Sequence, residues 1–459
     1  MVVHRHHQDP TRRLETGLGR FPPRQNPSMI ISGRSGSPPS LLFRLLAIAL
    51  ATILTTAATG ASGISSPWPQ RWSEHLDRDV LPFWLADNER TPSPALPEAR
   101  MQDRVFSLRL RALYVLAVAL SRQKDEDVRN LLRMRFDHRY AALVSRFYDP
   151  QTADWLSTAD ADVPIPDLSR QKRDTADQAW AILILDDIHR LAGKPDARRL
   201  AGETFRRIDS LAHDDLYGGY FVDYDNPPSA ASAHPDRDPE SVRKHASTQV
   251  HMMLALARLL RVDPGNAAIR SRLEELVSLV PRFVSTETGH VRWALGRDWL
   301  PATFARPINN RTLYGLNAET ISYLLNANDA LGRPPSAVLP LVECIARGLL
   351  RDGISPDGAV WYVGPMEGSA DDRRVWWWPQ VETAAAMWSL FRLTRRDDYL
   401  AAFGKVSAWA HAHLVPAETP GRWVTVCTAD GQPLPHTAAA HEIQTGFHVA
   451  RCVLAIEKN

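Results

Sequence analysis

Apolar residues recur with a period near 3.6 in twelve stretches: 70–86, 103–122, 125–147, 172–193, 196–213, 244–262, 266–287, 315–332, 335–352, 378–395, 397–414 and 438–456. That spacing predicts amphipathic helices. Strand-like alternation is confined to short pieces that follow every second helix. Each is a Gly/Asp turn with aromatics: FYDPQTADW from Phe147, LYGGYFVDYD from Leu216, GHVRWALGRDW from Gly289, DGAVWYVG from Asp357 and GRWVTVCTADG from Gly421. The chain therefore repeats a unit of two helices and a short β-hairpin. Six such pairs can close into a ring, with every second helix lining a central funnel and all the hairpins at one end. The expected fold is an all-α (α/α)6 toroid, and an open helical solenoid is the alternative.

Composition sharpens this picture at the N-terminus. Of the 459 residues, 44% are hydrophobic and 23% charged, ordinary values for a globular chain. Net charge is +2, yet residues 1–61 carry seven Arg against Asp9 and Glu15. The body is near neutral without a basic run, which argues against nucleic acid as a partner. Arg44 precedes the apolar run LLAIALATIL (Leu45 to Leu54), and TTAATGASG follows it. This order predicts a secretory signal cut near Ala58–Ser62, and hence a periplasmic or extracellular protein. An uncleaved anchor tethering the chain to a membrane is the alternative, and Met29 is a second candidate start. Residues 1–62 are read as the leader and 63–459 as one barrel domain. Sequencing of protein recovered from the native host should find a first residue between 59 and 63; recovery of the full-length chain from the cytosol would remove the export reading.

The candidate chemistry lies on the funnel-side helices. Arg104, Ser107, Arg111 and Tyr114 form a polar stripe through an apolar helix. Ser247 and His251 are four apart on another. Asn317 and Glu319 sit at a helix start, Trp376, Trp377 and Trp378 open a helix with Glu382 one turn on, and His441 and His448 are two turns apart. Singly these are ordinary: a histidine on an apolar face is commonly a bonded core residue, and a tryptophan cluster is commonly packing. Together they give five polar-bearing helices of the same parity, in a body holding all 14 Trp after residue 67. A concave, aromatic-lined pocket with a few convergent polar groups suits a sugar. Three cysteines without CxxC spacing suggest no disulfide framework and no zinc site. Without a Gly-rich phosphate loop or an HExxH, no cofactor or metal is expected.

These segments resemble the N-acylglucosamine 2-epimerase family, which includes cellobiose 2-epimerases and aldose–ketose isomerases, from about residue 68 to 457. RALY at Arg111 is similar to Arg-x-Leu-Tyr/Trp, TQVHMMLA to Thr-His-Leu-His followed by apolar residues, and GHVRWALGRDWLP to Gly-His-Leu…Asp-x-Trp-x-Pro. YGLNAE at Tyr314 is similar to Tyr-Gly-His-Asp-Ile-Glu, WWPQVE at Trp377 to Trp-Trp-Val-Gln-Ala-Glu, and GFHVAR at Gly446 to Pro-Tyr-His-x-x-Arg. The resemblance implies a mono- or disaccharide substrate, open at its reducing end, whose C2 proton moves through an enediolate. It implies His448 as base, Glu319 and Glu382 as groups that orient or polarise, Arg111 on the enediolate oxygen and His251 on the sugar ring. Tyr114, Tyr314, Asn317, Trp377 and Trp378 are the implied substrate contacts, and a monomer or homodimer is expected. Four positions depart from the pattern. Leu316 stands at the family's other acid/base histidine, Asn317 at its Asp, Gln249 at the first histidine of His-x-His and Ile443 at a tryptophan. Two other classes fit the same toroid: a glycoside hydrolase or lyase using Glu319 with Glu382, or an exported carbohydrate-binding protein that has lost catalysis.

Overall fold

The computed structural model describes residues 66–87, 106–157, 174–224, 243–302, 310–435 and 446–458. The leader expectations, Arg104, His441 and Ile443 lie outside them. Helix α1 (Trp68–His75) runs through a π-helical turn (Leu76–Val80) into α2 (Leu81–Asp87). There follow α3 (Phe106–Arg122), α4 (Glu126–Phe147), α5 (Thr175–Ala192), α6 (Pro195–Ala212), α7 (Ala246–Val262) and α8 (Ala267–Phe283). The chain ends with α9 (Tyr314–Ala330), α10 (Leu339–Gly348), α11 (Trp377–Thr394), α12 (Asp397–His413) and α13 (Phe447–Lys458). With α1 and α2 taken as one, the twelve expected helices are all present. Their ends are set by local chemistry. Asp125, Asp174 and Asn266 cap α4, α5 and α8 by accepting from backbone N–H groups, and Gly193, in the left-handed region, stops α5.

Helices α3, α5, α7, α9, α11 and α13 pack side by side in that order, and α13 returns against α3. The ring is closed, and the fold is an (α/α)6 toroid. The even-numbered helices back the inner ones from outside, with α1 and α2 beside α13 and α3. Among the described residues no helix is long and apolar enough to cross a membrane.

Two-stranded antiparallel ladders bracket the helix pairs. The turn at Tyr148 is a local hairpin, β1 (Tyr148–Asp149) on β2 (Asp154–Trp155). In later units the strand entering an inner helix pairs with the strand leaving the next outer one. These pairs are β3 (Lys244–His245) with β4 (Ala294–Leu295), β5 (Arg311–Leu313) with β6 (Val363–Pro365), and β7 (Val375–Trp376) with β8 (Val426–Cys427). Every inner helix of these units thus starts at the ladder end of the ring.

An amide at the fourth residue of four inner helices ties each helix start to the preceding turn. Gln178 exchanges bonds with Trp155, Gln249 with Tyr220, and Gln380 with Val360 and Gly358, while Asn317 Oδ1 accepts from Val291 N at 2.9 Å. All four side chains are buried. They satisfy backbone groups that the turns would otherwise leave unpaired.

The ring closes through polar groups as well as apolar ones. Arg122 of α3 reaches Asp77 and Glu457, so three elements meet at one guanidinium. Nearby, Trp72, His75, His411 and Trp423 pack ring against ring. Trp423 Nε1 donates to His75 Nε2 at 2.9 Å, and His75 Nδ1 donates to Asp79. Burial, together with the nearby His75 and Arg71, pulls the His411 pKa down to about 4. A histidine lowered on folding contributes stability fully present above its unfolded pKa and lost as pH falls toward the folded value. Wild type should therefore lose roughly 2–3 kcal/mol more than His411→Asn between pH 7.5 and pH 4, read by urea midpoints. Equal losses in both proteins would refute this assignment.

Candidate active site

Position along the inner helices repeats as the fold does. The sixth residue of each is Arg111, Trp180, His251, Glu319, Glu382 and Cys452. The first four face one cavity at the ladder end, and Glu382 lies directly beneath His448, which faces it too. The cavity holds about 270 Å³ and is walled further by Ser247, Trp293, Leu316, Trp377 and Trp378. Thus His251, Glu319, Glu382 and His448, from four helices, converge on one funnel.

His448 is anchored by a buried carboxylate. Its Nδ1 lies 2.8 Å from Glu382 Oε1, and Arg451 also donates to that oxygen. Burial alone would raise the Glu382 pKa, but Arg451 and His448 outweigh it and hold the carboxylate well below its usual range. An ionised Glu382 only accepts, so the imidazole proton is on Nδ1 and the Nε2 lone pair is left for the cavity. Burial also lowers the His448 pKa against the pull of Glu382, so the ring is neutral near pH 7 and ready to accept a proton. Its ring centroid is 5.9 Å from that of Trp378.

Across the cavity His251 Nε2 is 3.5 Å from Glu319 Oε2, and neither ring nitrogen has a hydrogen-bond partner among the described residues. Tyr323 donates to Glu319 Oε1 at 3.1 Å. The Arg111 guanidinium lies over Trp180 and Phe447, 5.1 and 5.7 Å from their centroids, and its Nε is unpartnered there. Burial depresses Arg111, while Asp177 and Glu319 favour its charge. The inner helices present their N-termini here, which adds a positive field of fixed dipoles. A cation, a positive field and a neutral imidazole suit a reaction that develops negative charge.

Trp378 is placed by a missing side chain. A Cβ on Gly315 would overlap the Trp378 ring and Pro379. Gly315→Ala should displace that ring and raise the sugar KM about tenfold, a loss of about 1.4 kcal/mol in binding, with kcat less affected. An unchanged KM would show that Trp378 does not touch substrate.

Three expected substrate contacts lie elsewhere. Tyr114 is on the Arg111 stripe but packs under Phe447, 5.0 Å between centroids, and lines a different cavity at the far end of the barrel. Tyr314 is buried edge-on to His290 and against Gly353 and Gly364, outside the pocket. Asn317 is one of the four amides that hold a turn. Conversely, Trp180, Trp293 and Tyr323 belong to the site and its floor but were not picked out in the sequence. Trp180 had a usable signal, since it lies on the one inner helix of predicted parity left without a candidate, after α3.

Glu319, Glu382 and His448 could each offer an atom to one ion, with ligand atoms within 4.8 Å of one another. Glu382 is already committed to Arg451 and His448, and a further cation would sit beside Arg111 and Arg451. The set is better suited to hydrogen bonding than to a metal. In a hydrolase pair Glu382 could not be the acid, because it is held ionised.

Known proteins agree with this framework. A cellobiose 2-epimerase from Bacteroides fragilis is 24% identical over 383 residues, covering 79% of this chain and 91% of its own. The solved cellobiose 2-epimerase of Bacillus thermoamylovorans superposes with a TM-score of 0.71 at 18% identity, over 85% of this chain and 99% of that one. A D-mannose isomerase structure gives 0.66 at 14% identity, over 86% and 100%. Residues 97–452 match the model of the N-acylglucosamine 2-epimerase (GlcNAc 2-epimerase) family, and the chain belongs to that family.

Proposed function

We propose that the protein is a sugar isomerase that moves the C2 proton of an open-chain aldose through an enediolate. The observation that carries this reading is the Glu382–His448 pair, which leaves a neutral Nε2 facing the pocket. His448 Nε2 takes the proton from C2, the C–H electron pair forms the C1=C2 bond, and the carbonyl electrons go to O1. Arg111 offsets the charge on that oxygen. Return of the proton to C1, with the O2 proton passing to O1 as the C2=O2 bond forms, yields the ketose. Return to C2 on the same face regenerates the aldose. His251, with two unpartnered nitrogens, meets sugar hydroxyls, and Trp180, Trp377 and Trp378 pack on the ring faces.

Inversion at C2 asks for a second proton donor on the opposite face. The position that resembles the family's second histidine is Leu316, an apolar wall of this pocket. We therefore infer that aldose–ketose isomerisation exceeds 2-epimerisation. The cellobiose 2-epimerase and D-mannose isomerase likenesses direct the choice of sugars. Incubation with glucose, mannose, cellobiose and N-acetylglucosamine in D2O, read by NMR, should show deuterium at C2 of recovered aldose and a ketose signal. Leu316→His should raise the epimer-to-ketose ratio. No exchange with any of the four sugars would overturn the reading, and glycosidic cleavage would replace it with hydrolysis.

A further inference from the structure

A second, larger cavity of about 660 Å³ opens at the other end of the barrel, where the inner helices terminate. Glu382, Tyr323 and Arg451, the layer beneath His448, form its inner end. Seven cationic side chains line it against two carboxylates, Asp329 and Glu382. Four of the seven are neutralised locally: Arg451 by Glu382, Arg261 by Asp329, Arg190 by Asp187 and Arg333 by Glu274. Arg258, Arg392 and Lys458 have no ion pair among the described residues. Arg258 acts electrostatically on the buried Asp186, whose pKa is nonetheless raised to about 6 by burial and by Asp187.

A cation at each helix C-terminus is ordinary, since each end carries about half a negative charge. That accounts for one cation per helix, but α7 alone supplies Arg258 and Arg261, both into this cavity. The sign of the local field shows at Lys458. Burial, then Arg258 and Arg190, lowers it to about 8. Two donors on the wall, Arg258 Nε and Ser322 Oγ, are buried without a partner among the described residues. Unsatisfied buried donors are costly, and an anion with several oxygens would satisfy them.

We propose that this far-end cavity binds a compact multivalent oxyanion, held by Arg258, Arg392 and Lys458 with Ser322 as a neutral donor. Guanidinium groups take phosphate and carboxylate oxygens alike, two at a time. The site is independent of the sugar reading, because none of these four residues faces the histidine pocket.

The test is calorimetric titration of the full chain with inorganic phosphate, pyrophosphate and citrate, each at ionic strength matched with sodium chloride. One saturable site per chain is expected for pyrophosphate or citrate, at least tenfold tighter than for phosphate. Pyrophosphate alone would identify a phosphoryl ligand, and citrate alone a polycarboxylate. Arg258→Gln and Arg392→Gln should each weaken binding tenfold or more, and Lys458→Met, in the last turn of α13, carries the same test should an arginine variant not fold. Affinity should fall as pH rises through about 8, where Lys458 loses its proton. His448→Asn should bind the anion as wild type does, even if every sugar assay fails. Absence of saturable heat with all three anions, or equal binding by the variants, would overturn the proposal.

Discussion

His448→Asn should lower the isomerisation rate by about 10²–10⁴-fold, the usual yield of a positioned general base, while thermal stability stays near wild type. Asparagine roughly conserves shape at a site 12% exposed and keeps a polar contact to Glu382, but it cannot exchange a proton. The measurement is kcat together with deuterium exchange at C2, and both should fall in step. A variant that still exchanges C2 would place the base elsewhere, with His251 the next group in the pocket. The wild-type rate should rise with pH along a limb set by His448. Because burial lowers its pKa, that limb lies below about 6.5. His448→Asn should abolish the limb along with the rate.

Glu382→Gln should damage both stability and rate, and the two losses can be separated. Glu382 is 1% exposed and shares one oxygen between His448 and Arg451. Removing its charge leaves the Arg451 guanidinium buried and unpaired, which costs about 3–5 kcal/mol. It also removes the anion that raises His448, so any residual activity should show its acid limb displaced to lower pH. In Glu382→Gln/Arg451→Met both ions are gone. Stability should recover by about 1–4 kcal/mol, since no unpaired charge remains buried. The rate should stay low, because His448 still lacks its ionic partner. Recovery of stability and rate together would show that Glu382 serves the fold alone. Loss that persists in the double variant would show that the cavity walls, rather than charge pairing, set the cost.

Much of this arrangement was legible in the chain itself. The apolar period and the recurring Gly/Asp turns contain the helix count, the pairing and the parity of the inner helices. These are local properties, carried by each segment whatever surrounds it. Arg111, His251, Glu319 and Glu382 could be found in this way because each is a polar residue on a helix of inner parity. Periodicity supplies a direction around a helix axis; it does not supply depth. Tyr114 shares a stripe with Arg111 but lies three residues on, about 4.5 Å further along the axis. That rise carries it through the floor into the far cavity. Asn317 and Glu319 are two residues apart and looked alike as polar groups at a helix start. One meets the Val291 backbone and the other meets His251, and only the docked turn decides which. Tyr314 is likewise claimed by the neighbouring turn. The tautomer of His448 depends on Glu382 and Arg451, which come from different helices, and the charge of the far cavity depends on side chains from five of the six units. Such facts depend on distances between segments far apart in the chain, which no local pattern encodes. They were decided only when the ring closed.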